Sequence, residues 1–211
     1  MTEKISTSIP DDPRVRNEWT LKENVGEFFN EYKMKLSFAL NSVSDEKLEA
    51  AYSIMLQAAK SGKTVFTAGN GGSAAIANHL CCDWTKGTFV EGKIRIKTQS
   101  LCANVELMTA MANDVGIEHM FSQQLKIMGS PGDVLFVISS SGNSPNIIQL
   151  VSEAKKIGMP VIGFCGFAGG KLKEMADVSI HIPVNNYGIV EDAHQAVMQA
   201  LAQYFYLKNS K

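Results

Sequence analysis

Apolar and polar positions along this chain fall into blocks whose period switches between two and about 3.6 residues. Short apolar runs stand at Thr64-Val65-Phe66, residues 97–101, Val134-Leu135-Phe136-Val137-Ile138, residues 160–165 and residues 177–182. Between them lie segments with apolar residues three and four apart, at 73–84, 105–112, 117–128, 144–157 and 189–207, and a short helix opened by Gly169-Gly170. Two further helices precede the first strand. Residues 19–41 carry Leu21, Val25, Phe28, Phe29, Tyr32, Leu36, Phe38, Ala39 and Leu40, a stripe too wide for one helix to hide, so another subunit is its natural cover. The next opens at Ser44-Asp45-Glu46, a capping serine with an acidic first turn, and runs to Lys60. Residues 86–93 and 183–187 read as loops. Strands alternating with helices predict a parallel sheet covered on both faces: an α/β, three-layer αβα sandwich with a five-stranded sheet, preceded by N-terminal helices. Residues 1–18 are polar and read as a flexible N-terminal arm, leaving 19–211 as one domain.

Two connections stand out chemically. Thr67-Ala68-Gly69-Asn70-Gly71-Gly72-Ser73 follows the first strand, and Ser139-Ser140-Ser141-Gly142-Asn143-Ser144 follows the third; each leads into a helix. Glycines let the backbone approach an anion, helix N-termini offer free N–H groups, and serine hydroxyls add neutral donors. The pattern reads as a phosphate cradle used twice; the plainer reading is two strand-to-helix turns capped by Ser73 and Ser144. Neither is a dinucleotide fingerprint, which needs a third spaced glycine, nor a P-loop, which needs Lys followed by Ser or Thr. The expected ligand is therefore a small phosphorylated molecule, with no nucleotide cofactor. Both loops sit at carboxyl ends of strands, where parallel sheets bind ligands.

Composition narrows the setting. Of 211 residues, 45% are hydrophobic and 19% charged, enough to bury a core. A formal charge of −1 argues against broad nucleic-acid binding. No run reaches the length of a membrane span, and the N-terminus has no apolar signal segment, so no membrane partner is expected. The four cysteines form no C-x-x-C pair and read as reduced core residues of a cytoplasmic protein.

At Gly69-Asn70-Gly71-Gly72-Ser73, Ala112-Asn113-Asp114, Gly132-Asp133-Val134-Leu135, the serine loop and Gly169-Gly170-Lys171, the chain resembles the sugar isomerase (SIS) domain family, closest to its phosphoheptose isomerase group. The resemblance implies a flavodoxin-like sheet, a homotetramer and active sites between subunits. It implies a sugar-phosphate substrate held by Asn70, Gly71, Gly72, Ser73, Ser139, Ser140, Ser141 and Ser144, with Asn104, Asn113 and Asp114 as further substrate contacts. The family's His and Glu, four apart on the helix after the first loop, correspond to His79 and Asp83. Its Gln and, eight residues on, its His on the last helix correspond to Glu191 and Gln199, and an Asp just before that helix corresponds to Gly188. His79, Asp83 and Glu191 are thus the expected catalytic residues, and His79, Asp83, Glu191 and Gln199 the expected ligands of one divalent metal, zinc by resemblance. Four residues apart on a helix puts His79 and Asp83 on one face. Glu191 and His194, three apart, are expected to share another. The function implied is aldose–ketose isomerisation, sedoheptulose 7-phosphate to D-glycero-D-manno-heptose 7-phosphate. The alternative is a non-catalytic SIS domain that binds a sugar phosphate or a protein partner, in the manner of its replication-initiator-binding relative; Gln199 and Gly188 point that way.

Overall fold

A run of six buried residues, Val134–Ser139, sends its side chains alternately into two separate cores. Strict alternation between two apolar environments is what a strand covered on both faces requires. This strand is the centre of a computed structural model that describes Trp19 and residues 21–211; the expected arm at 1–18 lies outside the described residues.

The elements run α1 (Val25–Asn41), α2 (Asp45–Lys60), β1 (Thr64–Ala68), α3 (Gly72–Cys82), β2 (Lys97–Ser100), α4 (Val105–Val115), α5 (Met120–Met128), β3 (Val134–Ser139), α6 (Pro145–Ile157), β4 (Val161–Cys165), α7 (Gly170–Met175), β5 (Val178–His181) and α8 (Tyr187–Asn209). All strand pairs are parallel, in the order β2-β1-β3-β4-β5. One core joins α2, α3 and α8 to Val65, Val134, Phe136, Ile138 and Phe164; the other joins α5, α6 and α7 to Phe66, Leu135, Val137 and Val161. The strand order reverses between β1 and β3, so α3 and α6 leave these neighbours on opposite faces and open a crevice between their first turns. A smaller cluster packs Ala39 of α1 against Ile189, Val190 and Ala193 of α8. Tyr32 donates to Asp192 across the same seam at 2.6 Å; burial, then that bond, pushes its phenol pKa up.

Several boundaries differ from the sequence expectation, each for a local reason. α1 begins only at Val25 because Asn24 caps it, accepting from Glu27 N–H at 3.0 Å. α8 begins earlier, at Tyr187, because Asn186 caps it through Ile189 N–H at 3.0 Å. A π-helical turn, Asp83–Gly87, prolongs α3 into the expected loop. Ser73 lies inside α3, whose N-cap is Gly71, and Ser144 stands at the N-cap of α6 but makes no side-chain cap bond. The serine hydroxyls therefore remain for another use.

His194 does not join Glu191 on a functional face. It is fully buried beside the Phe164 ring, centroids 5.4 Å apart, and neither ring nitrogen makes a hydrogen bond of normal geometry. Burial pulls its pKa down to about 4, against the opposing pull of the Cys165 backbone. With the folded value below the ordinary 6.5, only the unfolded chain takes up this proton as pH falls through 6.5. Stability from this group is therefore lost between pH 6.5 and about 4, by an amount on the order of 3 kcal/mol. Urea unfolding of His194→Leu across that range should show a flatter acid limb than the parent; an identical limb would refute the assignment.

Candidate functional site

The crevice at the β1/β3 switch point has a volume of about 310 Å³ and is lined by Asn70, Gly71, Gly72, Ser73, Ser139, Ser140, Ser141, Ser144, Tyr187 and Glu191. The eight residues expected to hold phosphate all lie in that lining. Register delivers them together, because Ala68 at the end of β1 pairs with Val137 near the end of β3.

A reciprocal amide bridge ties the two loops. Asn70 Nδ2 donates to Asn146 Oδ1 and Asn146 Nδ2 donates back to Asn70 Oδ1, both at 2.9 Å. Asn146 Oδ1 also accepts from Ile147 N–H at 3.0 Å. Within the second loop, Ser139 and Ser144 hydroxyls lie 3.3 Å apart, and Ser141 Oγ accepts from Asn143 N–H at 3.3 Å. Ser140 Oγ is buried with no partner among the described residues. A buried hydroxyl left unpaired is costly, and its position in the crevice wall gives it a polar ligand to meet. Gly142 has φ 65, and a Cβ there would come within 1.9 Å of the Gly169 carbonyl oxygen, so only glycine keeps this loop seated. At Gly72 a Cβ would strike the Glu191 carboxylate at 2.2 Å; the absent side chain is what lets Glu191 into the crevice. Burial, then the neighbouring Asp192 charge, pushes the Glu191 carboxyl pKa up.

The expected acid–base residues continue along the α3–α8 seam. Glu191 meets Gly72, Gln195 meets His79, and Gln199 meets His79 and Asp83. Partner numbers rise together, so the two helices run side by side in the same direction. Gln195 Nε2 donates to His79 Nδ1 at 2.9 Å. The other ring nitrogen, Nε2, stands 3.0 Å from Asp83 Oδ2 and 3.3 Å from the Gln199 carboxamide nitrogen. The Gln199 carboxamide also donates to Asp83 Oδ2. His79 stands seven residues beyond Gly72, about 10 Å along the helix, with Glu191 between the serine loops and the His79–Asp83 pair.

This set does not fit the expected metal. Among the described residues no group of three or more His, Cys, Asp or Glu side chains is gathered to hold one. His79 and Asp83 are bonded to each other, and Gln195 and Gln199 turn carboxamide N–H groups toward them, which are donors rather than ligands. Of the other expected contacts, Asn104 caps α4 by accepting from Leu107 N–H at 2.8 Å. Asn113 donates to Asp114 at 2.9 Å, and all three are exposed, away from the crevice lining. Sequence reasoning missed Asn146, Gln195 and Tyr187. Asn146 was detectable as a polar residue in the first turn of an apolar helix; Gln195 lies midway between Glu191 and Gln199 at i+4 spacing.

An all-parallel sheet with two hydroxyl- and glycine-rich loops at its switch point defines an α/β domain whose crevice is lined by hydroxyls and loop backbone. The family model described as SIS domain matches residues 27–166. The chain is 38% identical to the phosphoheptose isomerase of Rhodospirillum rubrum over 149 residues, 71% of this chain and 78% of that protein. Among solved structures it is similar to the phosphoheptose isomerase GmhA of Neisseria gonorrhoeae, with TM-score 0.79 and 32% identity, covering 88% of this chain and 98% of that one. It is also similar to a phosphoheptose isomerase of Francisella tularensis, with TM-score 0.80 and 26% identity, covering 87% and 96%. The chain belongs to the SIS domain family, in its phosphoheptose isomerase group.

If the serine loop is the anion site, Ser141→Ala and Ser144→Ala should each weaken binding of a phosphorylated ligand by roughly 1–3 kcal/mol, the worth of a charge-assisted hydrogen bond. Calorimetry on the purified variants measures this; unchanged affinity in both would move the site elsewhere.

Proposed function

We propose that the protein is a sugar-phosphate isomerase that interconverts sedoheptulose 7-phosphate and D-glycero-D-manno-heptose 7-phosphate. The observation that carries the reading is the juxtaposition of a cation-free phosphate cradle with Glu191, whose carboxyl is driven toward neutrality. The names of the relatives, phosphoheptose isomerases, agree with it. The phosphate sits in the two loops and the carbon chain lies along the α3–α8 seam. Glu191, as carboxylate, takes a proton from C1 of the opened ketose to give an enediol, then returns a proton to C2; the hydroxyl proton moves from O1 to O2. Nothing is oxidised overall. A carboxyl with a raised pKa suits a group that must both accept and return a proton. His79, held in place by Gln195 and Asp83, is the acid–base partner that serves the substrate oxygens.

On this reading Glu191→Gln abolishes turnover while sugar-phosphate binding stays nearly intact, because the loops hold the phosphate. In the parent, the acid limb of kcat/KM should have its midpoint above the ordinary carboxylate value, since the base must be ionised and its pKa is raised. A parent protein that binds sugar phosphates but isomerises none would instead support the non-catalytic reading, which the carboxamide of Gln199 at the expected histidine favours.

The proposal extends to assembly and setting. α1 leaves Val25 at 82%, Phe29 at 57% and Phe38 at 65% exposure, and α4 has no buried residue in this chain. Such surfaces need a cover, so α1 acts as an oligomerisation helix in a homotetramer. Light scattering at micromolar concentration should report four copies; a monomer would refute this. Four free thiols suit the reducing cytoplasm, and no described helix is long and apolar enough to cross a membrane.

A further inference from the structure

Phe167 is the one non-glycine residue with positive φ, 50°, among the described residues. An aromatic side chain adopts that conformation only where its surroundings impose it, so the contacts that do so are informative. Phe167 N–H donates to the Val184 carbonyl at 3.1 Å. Its own carbonyl accepts from His181 Nε2 at 2.9 Å. Its ring packs on Tyr187, centroids 4.8 Å apart at 59°. Tyr187 is the one aromatic residue in the crevice lining, and it stands four residues before Glu191 on the same helix. The segment that carries Phe167 also braces the serine loop: Gly166 N–H donates to the Ser140 carbonyl at 2.8 Å, and Leu172 N–H to the Gly142 carbonyl at 3.0 Å. Lys171 N–H donates to Asn143 Oδ1 at 3.0 Å. One short loop therefore sets the position of the serine wall and of the aromatic wall together.

We propose that Tyr187 is the specificity-determining residue of the crevice, its ring forming part of the wall it shares with the serine loops and its hydroxyl bonding a hydroxyl of the sugar chain, with Phe167 the positioning residue that holds the ring there. The chemistry of the lining motivates the division of labour. Serine hydroxyls and loop amides already supply donors for a phosphate, whereas a neutral phenol beside an apolar ring face suits the mixed hydroxyl and C–H surface of a sugar. The proposal rests on the sugar-phosphate reading of the site.

Calorimetric titration of the full chain with inorganic phosphate, fructose 6-phosphate and sedoheptulose 7-phosphate separates the two ideas. Tyr187→Phe should bind inorganic phosphate within about twofold of the parent and the sugar phosphates about tenfold more weakly, the effect of one lost hydrogen bond to a polar ligand. Tyr187→Ala should in addition lose the preference between the six- and seven-carbon ligands. Phe167→Gly suits the local φ, so it should weaken sugar-phosphate binding without lowering the thermal midpoint, and Phe167→Tyr should restore the binding. If the parent binds sugar phosphates and both Tyr187 variants bind all three ligands as the parent does, the role of Tyr187 is overturned while the sugar-phosphate reading stands. If the parent binds neither sugar phosphate, both are overturned.

Discussion

The separation of the two phosphate loops depends on the paired amides of Asn70 and Asn146, which span a crevice that the sheet alone would leave open. α3 and α6 depart to opposite faces, so no backbone hydrogen bond can join their first turns. Two side-chain amides facing each other satisfy one donor and one acceptor on each partner, and the second role of Asn146 Oδ1, on Ile147 N–H, locks its rotamer. Loss of either amide leaves the other unpaired in a part-buried place, which costs about 1–3 kcal/mol. It would also release the loops that present Ser73 on one side and Ser139 to Ser144 on the other. The β1–β3 register sets the height of these loops, and the amide bridge sets their distance.

Much of the fold was legible because its signals are local. The buried strands announce themselves as apolar runs, and Gly158 closes α6 in the left-handed conformation expected of it. Boundaries failed where a side chain decided them: Asn24 and Asn186 were not recognised as caps, and the π-helical turn at Asp83 has no period of its own in the sequence. The phosphate loops were legible in composition, and all eight of their expected residues line the crevice. The amide bridge was not, because Asn70 and Asn146 are 76 positions apart and neither residue type is unusual where it stands. His194 was misplaced for a related reason. Spacing of three allows it to share a face with Glu191, but α8 is wrapped on two sides, by α1 and by the sheet, and only the pairs 191–192, 195–196 and 199–200 of that stretch escape burial.

The seam between α3 and α8 shows what substitution by carboxamides does to a reactive pair. A carboxamide can donate and accept but cannot change its charge near neutrality. Gln195 therefore holds one ring nitrogen of His79, and Gln199 occupies an oxygen of Asp83, without adding a titratable group. The pair becomes a rigid hydrogen-bond device whose ionisable members are one imidazole and one carboxylate. On the proposed reading, that places the burden of proton exchange on Glu191, the carboxyl that lines the crevice.

Charge is what lets Glu191 carry the proposed burden beside a proposed phosphate. Among the described residues the crevice lining contains no lysine or arginine, so on that reading an anion is held by dipoles, several of them oriented by bonds within the loops. Such dipoles lose nothing by reorganising when the ligand enters. They also leave the negative charge uncompensated, and in a partly buried site that charge acts on the nearest carboxyl. Desolvation and Asp192 already disfavour the ionised form of Glu191, and a phosphate at the loops pushes in the same direction. A lysine in the cradle would reverse this, holding Glu191 ionised and weakening it as a proton acceptor. The neutral cradle and the raised carboxyl are thus one electrostatic arrangement: the first makes the second possible, and Gly72, by having no side chain, lets the two meet.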